Sequence, residues 1–384
     1  MYGRELLNEF YLDRNIKYLN HGSFGATPKC VVEEGRRIVE LMEREPVRFF
    51  TDKYPMMYSR SIEKLADFIK CDIDNLALIE NATSGINTIL RSFQHFIKPG
   101  DHIITTNHVY PAVLNSLEFF CERNGADLKI INIPFPLESK EQILEIIEDE
   151  LTPKVALAVF DHITSSTGLI MPAKEMSQLA KEHGAITVID GAHAPGMIQP
   201  EIEKTGCDFY LGNCHKWLFA EKGCAFLWAN DYYRQRIHPL TISHNYGGSF
   251  IKEFEWVGTR NPSSWFSLPK AIDFYDEHGG KEIMKRNREL VLEAGKMIVA
   301  DLDTKQNISE DMTGSILTLQ LPQEIEGDQK KATELTREVY RRHNTELMFT
   351  PFDGKIFFRL SAQIYNELGD YEGISQIVNR IIAG

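Results

Sequence analysis

The 384-residue sequence carries 42 lysines and arginines against 55 aspartates and glutamates, a formal charge of −13, with 43 % hydrophobic and 25 % charged residues. Such a chain is long enough for a large core and two domains, and its acidity disfavours a nucleic-acid or anionic-membrane partner. No apolar run reaches the roughly 18 residues of a membrane span, and the charged N-terminus MYGRELLNEFYLDRN lacks the apolar stretch of a signal peptide.

In chain order, NLALIE (75–80) and HIITT (102–106) read as strands rich in β-branched residues, followed by DLKIINI (127–133), VALAVF (155–160) and AITVID (185–190). Helical periodicity alternates with them. SKEQILEIIEDEL (139–151) opens with a capping-box spacing, Ser139 and Gln142, and puts Ile143, Ile146, Ile147 and Leu151 on one face. PAKEMSQLAKEHG (172–184) has Pro172 at its start and Gly184 just past its end. After Asp190 the rhythm shortens, and CDFYLG and GCAFLW sit close together, as at a sheet edge with one antiparallel strand. The last third differs, with a long charged helix over 282–302, the strands SILTLQL, ELMFT and KIFFRLS, a helix near 330–344 and a closing helix, YEGISQIVNRIIA. The expected fold is α/β, a mainly parallel sheet sandwiched by helices over residues 20–265. A smaller α+β unit is expected from 266–384 together with 1–19. Six cysteines, Cys30, Cys71, Cys121, Cys207, Cys214 and Cys224, form no CxxC pair, which suits reduced thiols in the cytoplasm rather than disulfides or a metal site.

Ligands of open α/β sheets bind beyond the carboxyl ends of the strands, so the residues that follow each strand carry the argument. 81-NATSGINTIL-90 offers Thr83 or Ser84 as a cap and Gly85 for close approach, a helix end suited to phosphate or to nothing more than a plain N-cap. 107-NHVYPAV-113 puts His108 and Tyr110 at the same rim, where either can face a flat ligand or merely pack. 161-DHITSSTG-168 brings a cluster of hydroxyls with His162, and 190-DGAHAPG-196 places an acid at a buried strand end, with His193 three residues on. Lys216, inside the largely apolar 210-YLGNCHKWLFAEKGCAFLWAN-230, follows the next strand. A lysine there can snorkel to water. Pyridoxal 5′-phosphate, however, asks for a lysine, an acid and a nest of phosphate donors together.

The sequence resembles the class V branch of fold-type I pyridoxal-phosphate enzymes, in particular the isopenicillin N epimerase-like and cysteine-lyase group. The similarity runs from 18-YLNHGSFGATP-28 to 358-FRLSAQIYN-366 through NATSG, DGAHAPG, GNCHKW and WVGTR. The resemblance implies that Lys216 is the Schiff-base lysine and the acid/base at Cα, and that Asp190 holds the pyridine nitrogen. It places His193 and Ser165 near the phenolic oxygen of the ring, with Tyr110 or His108 stacking on it and Tyr110 favoured. It puts Thr83, with its neighbours Ala82 and Ser84, at the phosphate, together with Asn213 and His215, although many relatives have serine where Asn213 stands. Thr259 of WVGTR resembles a threonine that reaches the phosphate of a neighbouring subunit, which implies a homodimer with shared active sites. Arg359 matches the arginine that holds the substrate α-carboxylate, and Asn20 and His21 lie in an N-terminal loop that closes over substrate.

The implied function is an enzyme that forms an external aldimine with an amino acid and cleaves its Cα–H bond, isopenicillin N epimerase-like. Cysteine or S-conjugate C–S lyase chemistry, or transamination, stands as the alternative. Residues 225–384 contain no cysteine, which argues against a persulfide-forming desulfurase. A binding module that kept the fold and lost the chemistry is the reading from another class. The presence of Lys216, Asp190 and Arg359 together argues against it.

Overall fold

The computed structural model describes residues 2–137, 139–304 and 310–383. The strands are β1 (Lys17–Tyr18), β2 (Leu76–Ile79), β3 (His102–Thr106), β4 (Asp127–Ile131), β5 (Val155–Asp161), β6 (Ile186–Asp190), β7 (Phe209–Asn213), β8 (Ala225–Ala229), β9 (Ile316–Gln320), β10 (Thr345–Glu346), β11 (Met348–Phe352) and β12 (Lys355–Ser361). Seven of them form one sheet in the order β2-β8-β7-β6-β5-β3-β4. Only β8 runs antiparallel to its neighbours in that sheet. It lies second from the edge rather than at it, because β2 returns to cover it.

Alternation along the strands explains why both faces are dry. Leu78, Phe160, Ile189, Tyr210 and Phe226 join one core, while their chain neighbours Ile79, Val159, Val188, Leu211 and Leu227 join the other. Side chains of period two point to opposite faces, and a parallel sheet needs both faces covered. The crossover helices Ala82–Phe93, Pro111–Asn124, Lys140–Glu150 and Ala173–Glu182 supply the cover. Ser139 does occupy the N-cap of the third of these, without a side-chain cap bond, and the helix buries Ile143 and Ile147.

The parallel strands share a direction, so their last residues meet at one edge. Asp161 pairs in register with Asp190, and Asp190 with Leu211. Beyond the large sheet, β11-β12-β9 form an antiparallel sheet, with the helix Lys281–Leu302 beside β9 and the helix Gln329–His343 beside β11. The N-terminus is fastened here too: β1 pairs with β10, and Gly3 N–H donates to the Ile364 carbonyl at 2.8 Å. Among the described residues no helix is long and apolar enough to cross a membrane.

Candidate active site

At the carboxyl edge of β5, β6 and β7 lies a cavity of about 590 Å³, within the range of small-molecule sites. Its floor is Asp161, Asp190, Ala192, His193 and Asn213; one wall is the start of the helix Ala82–Phe93; Ser23, Phe24, Met348 and Arg359 close it from the smaller sheet's side. Lys216 and Asp190 therefore share one cavity.

Lys216 Nζ lies 2.9 Å from His193 Nε2, and the Trp217 indole N–H donates to His193 Nδ1 at 3.3 Å. Burial lowers Lys216 from the usual lysine range to about 8; Asp190 pulls upward against it, Arg359 lowers it further, and Asp161 again raises it. A lysine so placed is neutral in about a tenth of molecules near pH 7, far more than an ordinary lysine, and the neutral amine is the form that attacks a carbonyl. Asp190 accepts the Ala192 N–H at 2.9 Å through one carboxylate oxygen, and burial raises its pKa against that bond and the charge of Lys216. Asp161 is pushed well above the usual carboxylate range by burial and by the charge of Asp190. Its Oδ2 is buried without a partner among the described residues.

The opposite end is built by the helix Ala82–Phe93. Asn81 caps it, accepting the Ser84 N–H at 2.9 Å, and Asn213 at the end of β7 accepts the Ala82 N–H at 3.0 Å. Gly85 makes this tether possible for a reason different from ligand approach. A Cβ there would stand 2.3 Å from Leu211 Cδ2 and 2.8 Å from Ile79 Cδ1, so only glycine lets the helix lie this close to the sheet. The N-terminus of this helix, with its aligned dipole, opens into the cavity beside Thr83, where an anion is stabilised. His215 lines the same end, and its Nδ1 lies 3.0 Å from the Cys224 carbonyl; burial lowers it to about 4.

Arg359 is fully buried and has no carboxylate within ion-pair distance among the described residues. Its guanidinium donates to Asn20 Oδ1 at 2.9 Å, to Ser23 Oγ at 3.1 Å and to the Ser165 carbonyl, and its Nε has no partner among the described residues. Burial lowers it to about 10. An unpaired buried guanidinium is costly, and this one faces a cavity that can admit a carboxylate.

Of the residues singled out in the sequence, Lys216, Asp190, His193, Tyr110, Ala82, Thr83, Ser84, Ser165, Asn213, His215 and Arg359 line the cavity. His108 does not. Its Nδ1 is 2.7 Å from Thr167 Oγ1 and its Nε2 3.0 Å from the Ile133 carbonyl, and its ring packs on Phe352; Tyr110 occupies the rim instead. Nor does the fully buried His21, whose ring nitrogens lie 2.7 Å from Tyr365 Oη and 3.0 Å from the Lys216 carbonyl. Its ring supports the lysine's backbone and lies outside the cavity lining. Asn20 acts through Arg359 rather than lining the cavity. Thr259 is exposed and outside the cavity of its own chain. The sequence reading missed Asp161, Ser23, Phe24, Met348 and Trp217. Asp161 had a signal, a second acid ending the strand next to Asp190; Phe24 and Met348 had none.

An amine, a buried acid in the same cavity, a helix N-terminus and an unpaired guanidinium match the donor set that pyridoxal 5′-phosphate and an amino acid require. Comparison with known proteins agrees. The profile of the family "Aminotransferase class-V" matches residues 18–342. A "Probable L-cysteine desulfhydrase, chloroplastic" of Arabidopsis thaliana is 29 % identical over 407 residues, covering 98 % of this chain and 86 % of that one. The "Isopenicillin N epimerase" of Streptomyces clavuligerus is 29 % identical over 380 residues, covering 94 % of each. Among solved structures, a C-DES variant with glycine covalently linked to its PLP cofactor superposes with a TM-score of 0.78 at 15 % identity, over 98 % of both chains.

Proposed function

We propose, from the premise that the chain belongs to the aminotransferase class-V family and is a pyridoxal-phosphate enzyme, that it cleaves the Cα–H bond of an L-amino acid and expels a sulfur group from Cβ. The overall change is a sulfur-substituted cysteine plus water giving a thiol, pyruvate and ammonium. The observation that carries this reading is the placement of Lys216 in the cavity, its Nζ 2.9 Å from His193, where one amine can both take the Cα proton and return a proton. Elimination needs one such centre.

Pyridoxal 5′-phosphate, when bound, supplies the conjugated ring that takes up the electron pair left at Cα. Lys216 is assigned as the amine that holds its aldehyde and, once released by substrate, as the base whose Nζ takes the Cα proton. Asp190 holds a proton on the ring nitrogen. Thr83, Ala82, Ser84, Asn213 and His215 receive the phosphate, with Ser165 and His193 at the phenolic edge and Tyr110 against the ring. Arg359, oriented by Asn20 and Ser23, takes the substrate carboxylate in a bidentate fork. Thr259 serves the cavity of a second copy, in a homodimer with shared active sites. The division into 20–265 and 1–19 with 266–384 belongs to the same reading, supported by the pairing of β1 with β10, as does a cytoplasmic location.

Epimerisation is the second reading. It needs another proton carrier across Cα, and Tyr110 favours it, since this 44 % exposed side chain lines the cavity. Incubating the holoenzyme in heavy water with L-amino acids and S-substituted cysteines separates the readings. Pyruvate, ammonium and thiol are expected. Deuterated, racemised amino acid without pyruvate would replace elimination by epimerisation, and an oxo acid would indicate transamination.

A further inference from the structure

Trp217 is not part of the cavity lining, yet it bears on the lysine through one intermediary. Its indole N–H points at His193 Nδ1 at 3.3 Å, and His193 Nε2 lies 2.9 Å from Lys216 Nζ. Trp217 and His193 are both buried. An indole nitrogen only donates, so Nδ1 of His193 must present a lone pair. A neutral imidazole carries one N–H, which leaves its proton on Nε2, directed at the lysine. An ammonium has three donors and no acceptor, and would set N–H against N–H at this distance. A neutral amine accepts the bond.

We infer that Trp217 is a positioning residue: by fixing the tautomer of His193, it stabilises the neutral amine form of Lys216, the form that reacts with a carbonyl and accepts a proton from Cα. The inference rests on Lys216 being the reactive amine.

The surroundings make such a device necessary and keep it in place. Asp190 from β6 and Asp161 from β5 face Lys216 and favour its ammonium form, while Arg359 from β12 opposes it. His193 is faced by Lys216, Arg359, His21 and His215, all of which disfavour a second proton on its ring, beneath the larger effect of burial. Trp217 cannot swing aside. Its ring packs on that of His21 with centroids 4.9 Å apart. Its carbonyl lies 2.4 Å from where a Cβ on Gly196 would stand, and Gly196 has φ +87°.

The test uses cofactor-free protein. Nitrogen-15 NMR of the His193 ring is expected to show the proton on Nε2; a proton on Nδ1 overturns the inference even if no variant folds. Trp217→Phe keeps a ring in place and removes the N–H, freeing Nδ1 to take the proton and Nε2 to accept from an ammonium. With circular dichroism confirming the fold, the rate at which added pyridoxal phosphate forms its visible band is followed against pH. The midpoint is expected to move up by about one unit, a roughly tenfold slower reaction at neutral pH. An unchanged midpoint in folded Trp217→Phe overturns the inference. Lys216→Ala separates the two levels: a visible band of undiminished rate in that variant removes the lysine assignment itself, whereas its loss beside an unshifted Trp217→Phe removes only the role of Trp217.

Discussion

The best evidence for substrate at the residue scale is a charge without a counter-charge. Arg359 is held by an amide, a hydroxyl and a carbonyl, all neutral, with no carboxylate at ion-pair distance among the described residues, which supports its proposed hold on a substrate carboxylate. Arg359→Lys keeps the charge and loses the fork. Substrate KM is expected to rise by roughly 10- to 100-fold, in line with about 1.5–3 kcal/mol for a charge-assisted bond, with cofactor affinity unchanged; equal loss of both would make Arg359 structural. Asp161 makes a second case. Its folded pKa is raised, so the folded state keeps a proton that the unfolded chain releases above the ordinary carboxylate pKa, and stability falls as pH rises through that window. Asp161→Asn removes the titration, and the cofactor-free variant is expected to melt higher than the parent at neutral pH and equally at acid pH. Lys216 and Asp190, which share the cavity, were legible because an acid and a lysine following strand ends are chemically conspicuous, whereas Arg359, inside β12, was marked only by the family resemblance and by the rarity of a charge in an apolar strand. Between His108 and Tyr110 the family resemblance favoured Tyr110, but nothing in the residues themselves decided it: two residues apart on an irregular turn, they differ in whether the ring meets Phe352 or the cavity, which the surrounding fold decides.

Among the elements, the helix Ala82–Phe93 is set by what it lacks. Gly85→Ala would drive a methyl into Leu211 and Ile79, an overpacking worth about 1–3 kcal/mol. Because the same shift lifts the helix start from Asn213, cofactor affinity is expected to fall together with the denaturant midpoint. Loss of stability with unchanged affinity would show that the tether is dispensable. The strands and crossover helices were readable from period-two and 3.6-residue patterning, and so was the lone antiparallel strand. Its place one position in from the edge was not, because β2 reaches β8 by a pairing between segments almost 150 residues apart, and no local pattern encodes that distance.

Taken whole, the molecule buries an unusual set of neutral imidazoles. Burial is the leading cause that lowers His21 to about 3, His108, His162 and His215 to about 4, and His193 well below the ordinary histidine value. On unfolding, each gains a proton below about pH 6.5, so stability falls as pH falls through that region. Asp161 and Asp190, raised in the fold, act in the opposite sense. Glu221 and Glu346, likewise raised by burial, add to them, yet the five imidazoles outnumber the four carboxylates, so stability still falls as pH falls. Urea unfolding of cofactor-free protein between about pH 4 and pH 6.5 is expected to show it; a flat profile would mean that these rings are solvated.

The pairing of β1 with β10, and the grip of Asn20 on Arg359 across 339 positions of chain, carry a consequence for biosynthesis. Chains emerge from the ribosome N-terminus first, and every strand of the large sheet is complete by Ala229. A nascent polypeptide therefore carries Lys216 and Asp190 well before it carries Arg359. On the proposed roles, the residue that would select among amino acids is thus one of the last parts of the site that translation delivers.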